Sequence, residues 1–450
     1  MTTQRLTSRQ AADLLGVKIE TIYAYASRGL LTSERRPGGR GSSFDAEQVR
    51  ALAQGRSAPG RARPDPAHPD PGRSDPARPD PAHPDPARPV TGRFEPDRSA
   101  PLVVHSGITL IADGRLFYRG ADAVELADRY RFEQVAGLLW GVSAGPEVEF
   151  EISAELFGAL RRAGAALPAQ IRLTDRLRVA VAVAASVDPL RFDLREERVV
   201  PTAAALIAAM VDALPLRTAG AEGPAGGVAG RLWSRLTAEP PSAAGVEALG
   251  RAMVLVADHG PAVSTVAARV AASARAHPYA IVSAGLGALD GPLHGAASGA
   301  AHRLLAEVVA GGDAVLLVSD LLRSGTPVPG TGHPAYPDGD PRAVAVLAGL
   351  ARLPGSDRVP GSDRVLAAVR DVVRAAGRAA NVDLALAALA LAAGMPAEAG
   401  EVIFAVARTA GWIAHAMEEY REPALRLRAR AVYTGPPPPP PPSAPPSAPG

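Results

Sequence analysis

Residues 57–100 carry a near-repeat, PDPAHPDPGRSDPARPDPAHPDPARP at 64–89, that a compact fold cannot accommodate. Proline removes amide donors from the backbone, and the alternation of Asp with Arg or His leaves almost nothing apolar to bury. We therefore predict an extended, disordered linker, in which the regular spacing of His68 and His83 gives no convergent metal site. The linker divides the chain into a module at 1–56 and a domain at 101–435, and a second proline-rich tail follows at 436–450.

The bulk composition excludes several classes of protein. Hydrophobic residues make up 47% of the chain and charged residues 21%, which is a globular composition, and the net charge of +2 means that any argument for nucleic acid must be local. The absence of cysteine excludes disulfides, thiolate nucleophiles and cysteine metal sites. The N-terminus lacks a signal-peptide layout and apolar runs such as 202–214 are too short to span a bilayer, so we expect a soluble, cytoplasmic protein.

The domain at 101–435 is rich in Ala, Leu and Val and is interrupted by Gly and Pro at helix-length intervals, which predicts a mainly α-helical body. Residues 365–376, for instance, place their valines at helical spacing and their arginines around the other face. One segment differs: in ITLIADGRLFYR, residues 108–119, two short runs flank Asp113-Gly114, a pair that is typical of a hairpin turn. We expect a small β-hairpin on the helical body.

The module at 1–56 contains signals for short helices around a tight turn. A capping box at Thr7-Ser8-Arg9-Gln10 begins a helix through Leu15, and residues 20–28 form a second helix. A Pro-Gly-Gly loop with arginines and the string FDAEQVRALA then predict a basic wing and a third helix. The module holds nine Lys or Arg against five Asp or Glu, a local charge of +4, which favours attraction to phosphate.

The string LTSRQAADLLGVKIETIYAYASRGLL resembles the winged helix-turn-helix of the MerR and excisionase families over about fifty residues. The resemblance implies that DNA is a partner of this module. The side chains expected to contact DNA are those of Lys18, Thr21, Tyr23, Arg35, Arg36 and Arg40. A small helical protein-protein module is the alternative, because basic helical hairpins also bind proteins.

Three strings in the helical body place a histidine beside glycine or a turn: ADHGPAVST from Ala257, GPLHGAASG from Gly291 and GTGHPAYPDGDPRA from Gly330. Imidazole among glycines can sit close to a ligand, although a lone histidine on such a loop is more often structural. Downstream, the string NVD places Asp383 at the start of a very apolar stretch. Asp383 is either a functional carboxylate or the N-cap of the following helix.

These strings, in this order, resemble the citrate synthase and 2-methylcitrate synthase family from about residue 107 to residue 435. His333 follows His294 by 39 residues and Asp383 follows His333 by 50, close to that family's intervals. The resemblance implies a two-lobed, all-helical domain with a small β-hairpin, here preceded by the winged helix-turn-helix module. It also implies an obligate homodimer, and closure of the smaller lobe over the larger one, which excludes water from enolate chemistry.

The resemblance also assigns roles to individual residues. Asp383 is expected to remove a proton from the methyl carbon of acetyl-CoA, while His294 donates a hydrogen bond to the thioester oxygen and His333 protonates the ketone of oxaloacetate. The residues expected to bind the oxaloacetate carboxylates are His259, Arg342, Arg408 and Arg428, the last from across the dimer interface. The acyl-CoA is a substrate, and we expect no metal and no other cofactor.

The chain departs from the family's pattern in three places. Ala296-Ala297-Ser298 follows Gly295 where the family usually has Gly-Ala-Asn, residues 260–263 are Gly-Pro-Ala-Val instead of Glu-Leu-Asn-Ala, and Pro334 stands where many bacterial members have Arg.

Two hypotheses for the domain therefore remain. One is an active synthase that uses acetyl-CoA or another short acyl-CoA, and the other is a metabolite-sensing transcriptional regulator that binds oxaloacetate, citrate or an acyl-CoA without turnover. The retained Asp383 favours turnover because a sensor has no use for a base, whereas the altered residues after Gly295 favour the sensor. A purely structural helical scaffold leaves the matched strings unexplained.

Overall fold

The computed structural model describes residues 5–15, 17, 22, 25–26, 31–35, 42–53, 103–142, 148–218, 227–291, 294–295, 297–353, 360–427, 433 and 435. The predicted linker and tail lie outside these residues, so their extended character stays a prediction. The chain divides into two compact units, Met1–Phe94 and Glu95–Gly450.

The first unit contains a three-stranded antiparallel sheet in the order β1-β3-β2. Its elements are β1 (Arg5–Thr7), α1 (Ser8–Leu15), β2 (Ser33–Arg35), β3 (Ser42–Asp45) and α2 (Ala46–Ala53). The predicted capping box is confirmed: the Thr7 amide donates to the Gln10 side chain at 3.0 Å, and the Gln10 amide donates to the Thr7 hydroxyl at 3.3 Å. Ile22, Phe44 and Val49 are buried in the core of this unit.

The predicted wing corresponds to the hairpin of β2 and β3, in which Arg35 pairs with Ser42. The other five residues predicted to contact DNA all lie outside the described part of the chain; these are Lys18, Thr21, Tyr23, Arg36 and Arg40. The predicted second helix at 20–28 also lies outside it, apart from Ile22, Tyr25 and Ala26.

The second unit begins with the predicted hairpin. Strands β4 (Thr109–Ala112) and β5 (Arg115–Tyr118) are antiparallel, and β6 (Ala121–Asp122) pairs with β5. Asp113 and Gly114 have φ angles of 50° and 70°, as a two-residue hairpin turn of type I′ requires.

The remainder of the second unit is mainly helical in the ranges that the structure describes. Its helices are α3 (Ala123–Arg129), α4 (Phe132–Trp140), α5 (Ala154–Ala165), α6 (Leu173–Val187), α7 (Glu196–Asp212), α8 (Gly227–Leu236), α9 (Ala243–Val256), α10 (Val263–Ser273), α11 (Pro278–Leu289), α12 (Ala297–Val309), α13 (Ala314–Arg323), α14 (Pro341–Leu350), α15 (Ser362–Ala376), α16 (Val382–Ala392) and α17 (Ala399–Arg421). None of the helices among these residues is long and apolar enough to cross a membrane.

Helix α17 is the centre of the second unit. It is buried over most of its 23 residues and packs against α4, α7, α9, α10 and α11, which explains why most of its residues are apolar. Helices α12 to α16 pack mainly on one another and form a second lobe, in which α14 also contacts α9 and α16 contacts α17. The prediction of a two-lobed, mainly helical domain with a small hairpin is confirmed.

Candidate active site

Six of the seven residues predicted for catalysis and substrate binding lie in one region of the second unit. They are His259 between α9 and α10, His294 between α11 and α12, His333 between α13 and α14, Arg342 in the first turn of α14, Asp383 in the first turn of α16 and Arg408 in the middle of α17. The ring centroids of His259 and His333 are 5.1 Å apart, and the charges of Arg342 and Arg408 both act on Asp383. Arg428 lies outside the described residues.

The loop that carries His333 is fastened to the start of α16. The amide of Asn381 donates to the carbonyl of Gly330 at 2.9 Å. Gly330 has a φ of +79°, and a Cβ at this position would lie 2.7 Å from the Cβ of Leu384, so the close approach requires glycine. This approach holds the His333 loop against the helical turn that contains Asp383.

Asp383 is not the N-cap of α16, so the alternative explanation for this residue is wrong. The N-cap is Asn381, whose side-chain oxygen accepts from the Asp383 amide at 2.9 Å. The Asp383 carboxylate has no ion pair and no side-chain hydrogen bond among the described residues. Burial raises its pKa to about 6 against the opposing charges of Arg342 and Arg408, which suits a general base that works near neutral pH.

His294 is oriented by Ser264, the second residue of α10. The Ser264 Oγ lies 2.8 Å from Nε2 of His294 and accepts a hydrogen bond from Nε1 of Trp412 at 3.3 Å. An indole N–H can only donate, so the hydroxyl proton of Ser264 is available to His294 Nε2. Burial and the charge of Arg408 lower the pKa of His294. When Ser264 donates to Nε2, the neutral imidazole carries its proton on Nδ1 and can donate it to a ligand.

The tautomer of His333 is set by a backbone amide. Its Nδ1 accepts from the amide of Ala335 at 3.1 Å, so a neutral ring carries its proton on Nε2. Burial and the charge of Arg342 lower the pKa of His333, which favours this neutral form. His294 and His333 are therefore both neutral hydrogen-bond donors.

Arg342 is already engaged by the protein. Its Nε and Nη2 donate to the two oxygens of Asp340 at 2.9 and 2.8 Å, and both side chains are almost completely buried. Asp340 also accepts from the amide of Val382 at 3.0 Å. Asp340 thus joins the start of α14 to the start of α16, and it leaves only one side of the Arg342 guanidinium for a substrate.

Arg408 lacks an anionic partner among the described residues. Its Nε donates to the carbonyl of Val256 at 2.8 Å and its guanidinium stacks 4.3 Å from the ring centroid of Phe404. Nη1 is buried and makes no hydrogen bond to a described residue. Since a buried, unpaired guanidinium N–H is costly, this geometry suits the capture of a carboxylate from a ligand.

Three residues of the site were not predicted from the sequence: Ser264, Tyr336 and Asp258. The Tyr336 hydroxyl lies 3.0 Å from Nε2 of His259. Asp258 is fully buried and accepts from the hydroxyl of Thr109 in β4 at 2.6 Å. The one feature of the sequence that could have identified them is their position in the chain, since each of the three lies within five residues of a predicted site histidine.

The departures from the family's pattern occupy different environments. Pro334 is exposed, and Ala262 is the N-cap of α10 without a side-chain hydrogen bond. Ser298 is buried in α12 and its hydroxyl has no hydrogen-bond partner in the described ranges, while Ala296 lies outside them.

A cavity of about 300 Å³ opens beside His333 and is lined partly by Arg378. No cluster of His, Asp and Glu in the described part of the chain is arranged to hold a metal ion.

Comparison with known proteins agrees with the fold. The family model for the C-terminal domain of citrate synthase matches residues 100–430, and the model for MerR helix-turn-helix regulatory proteins matches residues 6–56. This chain therefore belongs to the citrate synthase family, and its N-terminal module is of the MerR type.

Individual relatives are similar over most of the second unit. Citrate synthase 2 of Bacillus subtilis is 30% identical over 351 residues, which cover 74% of this chain and 93% of the relative. The 2-methylcitrate synthase of Mycobacterium tuberculosis is 29% identical over 333 residues, which cover 71% and 84%.

A solved structure also resembles the second unit. It is the ternary complex of citrate synthase from Thermoplasma acidophilum with carboxymethyl coenzyme A and oxaloacetate. The match has a TM-score of 0.61 and 25% identity, and it covers 74% of this chain and 94% of that one.

Proposed function

We propose that this chain condenses a short acyl-CoA, such as acetyl-CoA, with oxaloacetate to give citrate and free CoA, the entry step of the tricarboxylic acid cycle. The observation that carries the proposal is the Asp383 carboxylate, which has no ion pair among the described residues and a pKa raised to about 6, in the same region as His294 and His333, whose pKa values are lowered. A carboxylate cannot deprotonate a thioester methyl group alone, because the enolate must be stabilised as it forms.

Each residue then has a step in the reaction. Asp383 takes a proton from the methyl carbon while His294 Nδ1–H donates to the thioester oxygen. The new carbon nucleophile attacks the ketone of oxaloacetate, and His333 Nε2–H supplies the proton that the ketone oxygen gains. Arg408 and the free side of Arg342 bind the carboxylates of oxaloacetate. Water then cleaves the citryl thioester to give citrate and CoA.

The test is oxaloacetate-dependent release of CoA from acetyl-CoA and then from propionyl-CoA. We expect turnover by the natural protein and a loss of at least about 1,000-fold in Asp383→Ala. Asp371→Ala is the matched control, because Asp371 lies on α15 in an exposed pair with Arg374. Absence of turnover with both thioesters in the natural protein would overturn the proposal.

The match of residues 6–56 to MerR regulators favours a second candidate, a DNA-binding regulator that senses the same ligands. Its signature is binding of oxaloacetate or acyl-CoA, measured by calorimetry, in a protein that releases no CoA. This outcome assigns Asp383 no chemical role.

We also propose that the protein works in the cytoplasm as a homodimer in which Arg428 completes the partner's site. Sedimentation equilibrium tests the dimer. Mixing inactive Asp383→Ala with inactive Arg428→Ala tests the shared site, because mixed dimers then contain one site with both residues intact and recover part of the activity.

A further inference from the structure

His259 is held from two directions. On the backbone side, the Asp258 carboxylate accepts from the amide of Gly260 at 2.9 Å, and the Asp258 carbonyl accepts from the hydroxyl of Tyr118 at 2.9 Å. On the ring side, Nε2 lies 3.0 Å from the hydroxyl oxygen of Tyr336. The peptide on which His259 sits is therefore fixed, and the remaining freedom of the imidazole is its rotation and its tautomer.

Tyr336 is itself immobilised. Its side chain is 2% exposed, its ring centroid lies 5.2 Å from that of His333, and the Arg342 guanidinium lies 5.3 Å from it. Burial raises the pKa of the Tyr336 hydroxyl to about 12, so it keeps its proton at neutral pH. Tyr336 thus presents a fixed O–H group to His259.

A neutral His259 ring carries one N–H, either on Nδ1 or on Nε2. Burial and the charges of Arg342 and Arg408 lower the pKa of His259, so the ring is neutral and has a single N–H. When the Tyr336 hydroxyl donates to Nε2, that proton must be on Nδ1. The ring then offers a donor on the side away from Tyr336, where an anionic ligand can accept it.

We propose that Tyr336 is a positioning residue of the oxaloacetate site, acting through His259 by holding its ring in the Nδ1–H form that donates to a substrate carboxylate. The inference rests on the proposed binding of oxaloacetate. It gives Tyr336 no contact with substrate, so the hydroxyl matters only while His259 is present.

The experiment is calorimetric titration of oxaloacetate into the full-length chain and into Tyr336→Phe, which keeps the ring and removes only the hydroxyl. Loss of one net hydrogen bond predicts a rise in Kd of about 5- to 10-fold. Tyr279→Phe is the matched control: this tyrosine is also buried and donates to the Asp188 carboxylate at 2.9 Å, away from the predicted site residues. We expect Tyr279→Phe to bind oxaloacetate as the natural protein does.

A double-mutant cycle separates an indirect role from a direct one. In a His259→Ala background, Tyr336→Phe should change Kd by less than about 2-fold, because the residue through which it acts is absent. An equal loss in both backgrounds overturns the proposal, and so does unchanged binding by Tyr336→Phe. If the natural protein binds no oxaloacetate, the proposed function and this inference both fail, whereas normal binding by Tyr336→Phe contradicts the inference alone.

Discussion

Asp383 predicts how activity depends on pH. The proposed reaction needs the Asp383 carboxylate ionised, and the pKa of this group is raised to about 6, while the pKa values of His294 and His333 are lowered. The lowered pKa values favour the neutral form of both histidines at neutral pH. We expect kcat/KM to be level above pH 7 and to fall about tenfold per pH unit below 6. An acid limb near pH 4 in the measured profile would contradict the raised pKa.

The same group has an effect of opposite sign on stability. Because the pKa of Asp383 is about 6 in the folded protein and 3.8 ordinarily, the unfolded chain ionises first as pH rises, and folding loses free energy between about pH 4 and 6. Asp383→Asn should thus be more stable than the natural protein at pH 7, by about 1–3 kcal/mol, and the gain should vanish below pH 4. Urea unfolding of the variant and of the natural protein at both pH values measures this difference in the free energy of unfolding. We expect the same variant to lose activity.

Substitution of Ser264 tests whether its hydroxyl sets the tautomer of His294. Ser264→Ala removes the hydroxyl beside Nε2, so the Nδ1–H form loses its support and kcat should fall about 10- to 100-fold. Ser283→Ala is the control, since its hydroxyl donates to the carbonyl of Tyr279 within α11. Equal kcat values for the two variants in a CoA-release assay would show that Ser264 does not orient His294.

At this scale the sequence identified the residues to which we assign chemical steps but not the residues that contact and orient them. His294 and Asp383 stand in short strings whose order and spacing can be recognised. Ser264 and Tyr336 matter because their hydroxyl oxygens come within 3.0 Å of an imidazole nitrogen 30 or 77 positions away, and such a pairing exists only after folding. A similar limit applied to the N-cap of α16, because Asn381 and Asp383 are equally good caps by residue type.

At the scale of elements, the close approach of the His333 loop to α16 makes Gly330 a critical position. Gly330→Ala combines a φ of +79° with a Cβ only 2.7–2.9 Å from atoms of Leu384, so the loop must move away from the turn that holds Asp383. We expect a stability loss of about 2–4 kcal/mol by urea unfolding and a large drop in kcat.

Gly325→Ala is a matched control for this prediction. Gly325 has a φ of +72° and nothing within 4 Å of an added Cβ, so it reports backbone strain alone, about 1 kcal/mol. If the two variants lose the same stability and both keep kcat, the close approach at Gly330 does not position the loop.

The elements that could be predicted from the sequence are those marked by a pattern of neighbouring residues. The capping box at Thr7, the Asp113-Gly114 turn and the valine spacing of α15 each predicted a feature that the structure contains. The hydrogen bond by which Asp340 connects α14 to α16 could not be predicted in this way, because the amide that Asp340 accepts from is 42 residues away in the sequence.

At the scale of the whole molecule, the two compact units suggest two activities in one chain. The residues proposed for catalysis all belong to the second unit, whereas residues 6–56 match the family of MerR helix-turn-helix regulatory proteins. By thermodynamic linkage, if oxaloacetate changes the affinity of the chain for DNA, DNA must change its affinity for oxaloacetate by the same factor. Measuring both affinities on the full-length chain therefore tests whether the units communicate.

DNA binding itself has a predicted electrostatic signature. The local charge of +4 in residues 1–56 and the arginines of the predicted wing imply release of counterions from DNA, so affinity should fall steeply with salt. Replacing Arg35, Arg36 and Arg40 together by alanine should reduce the slope of log K against log salt concentration by up to about 2.7, or roughly 0.9 for each phosphate that is no longer neutralised. The control replaces three exposed arginines of the second unit, Arg323, Arg370 and Arg374, and should leave the slope unchanged. Equal effects of the two triple variants would mean that DNA is attracted by the charge of the whole chain and not by a winged helix-turn-helix.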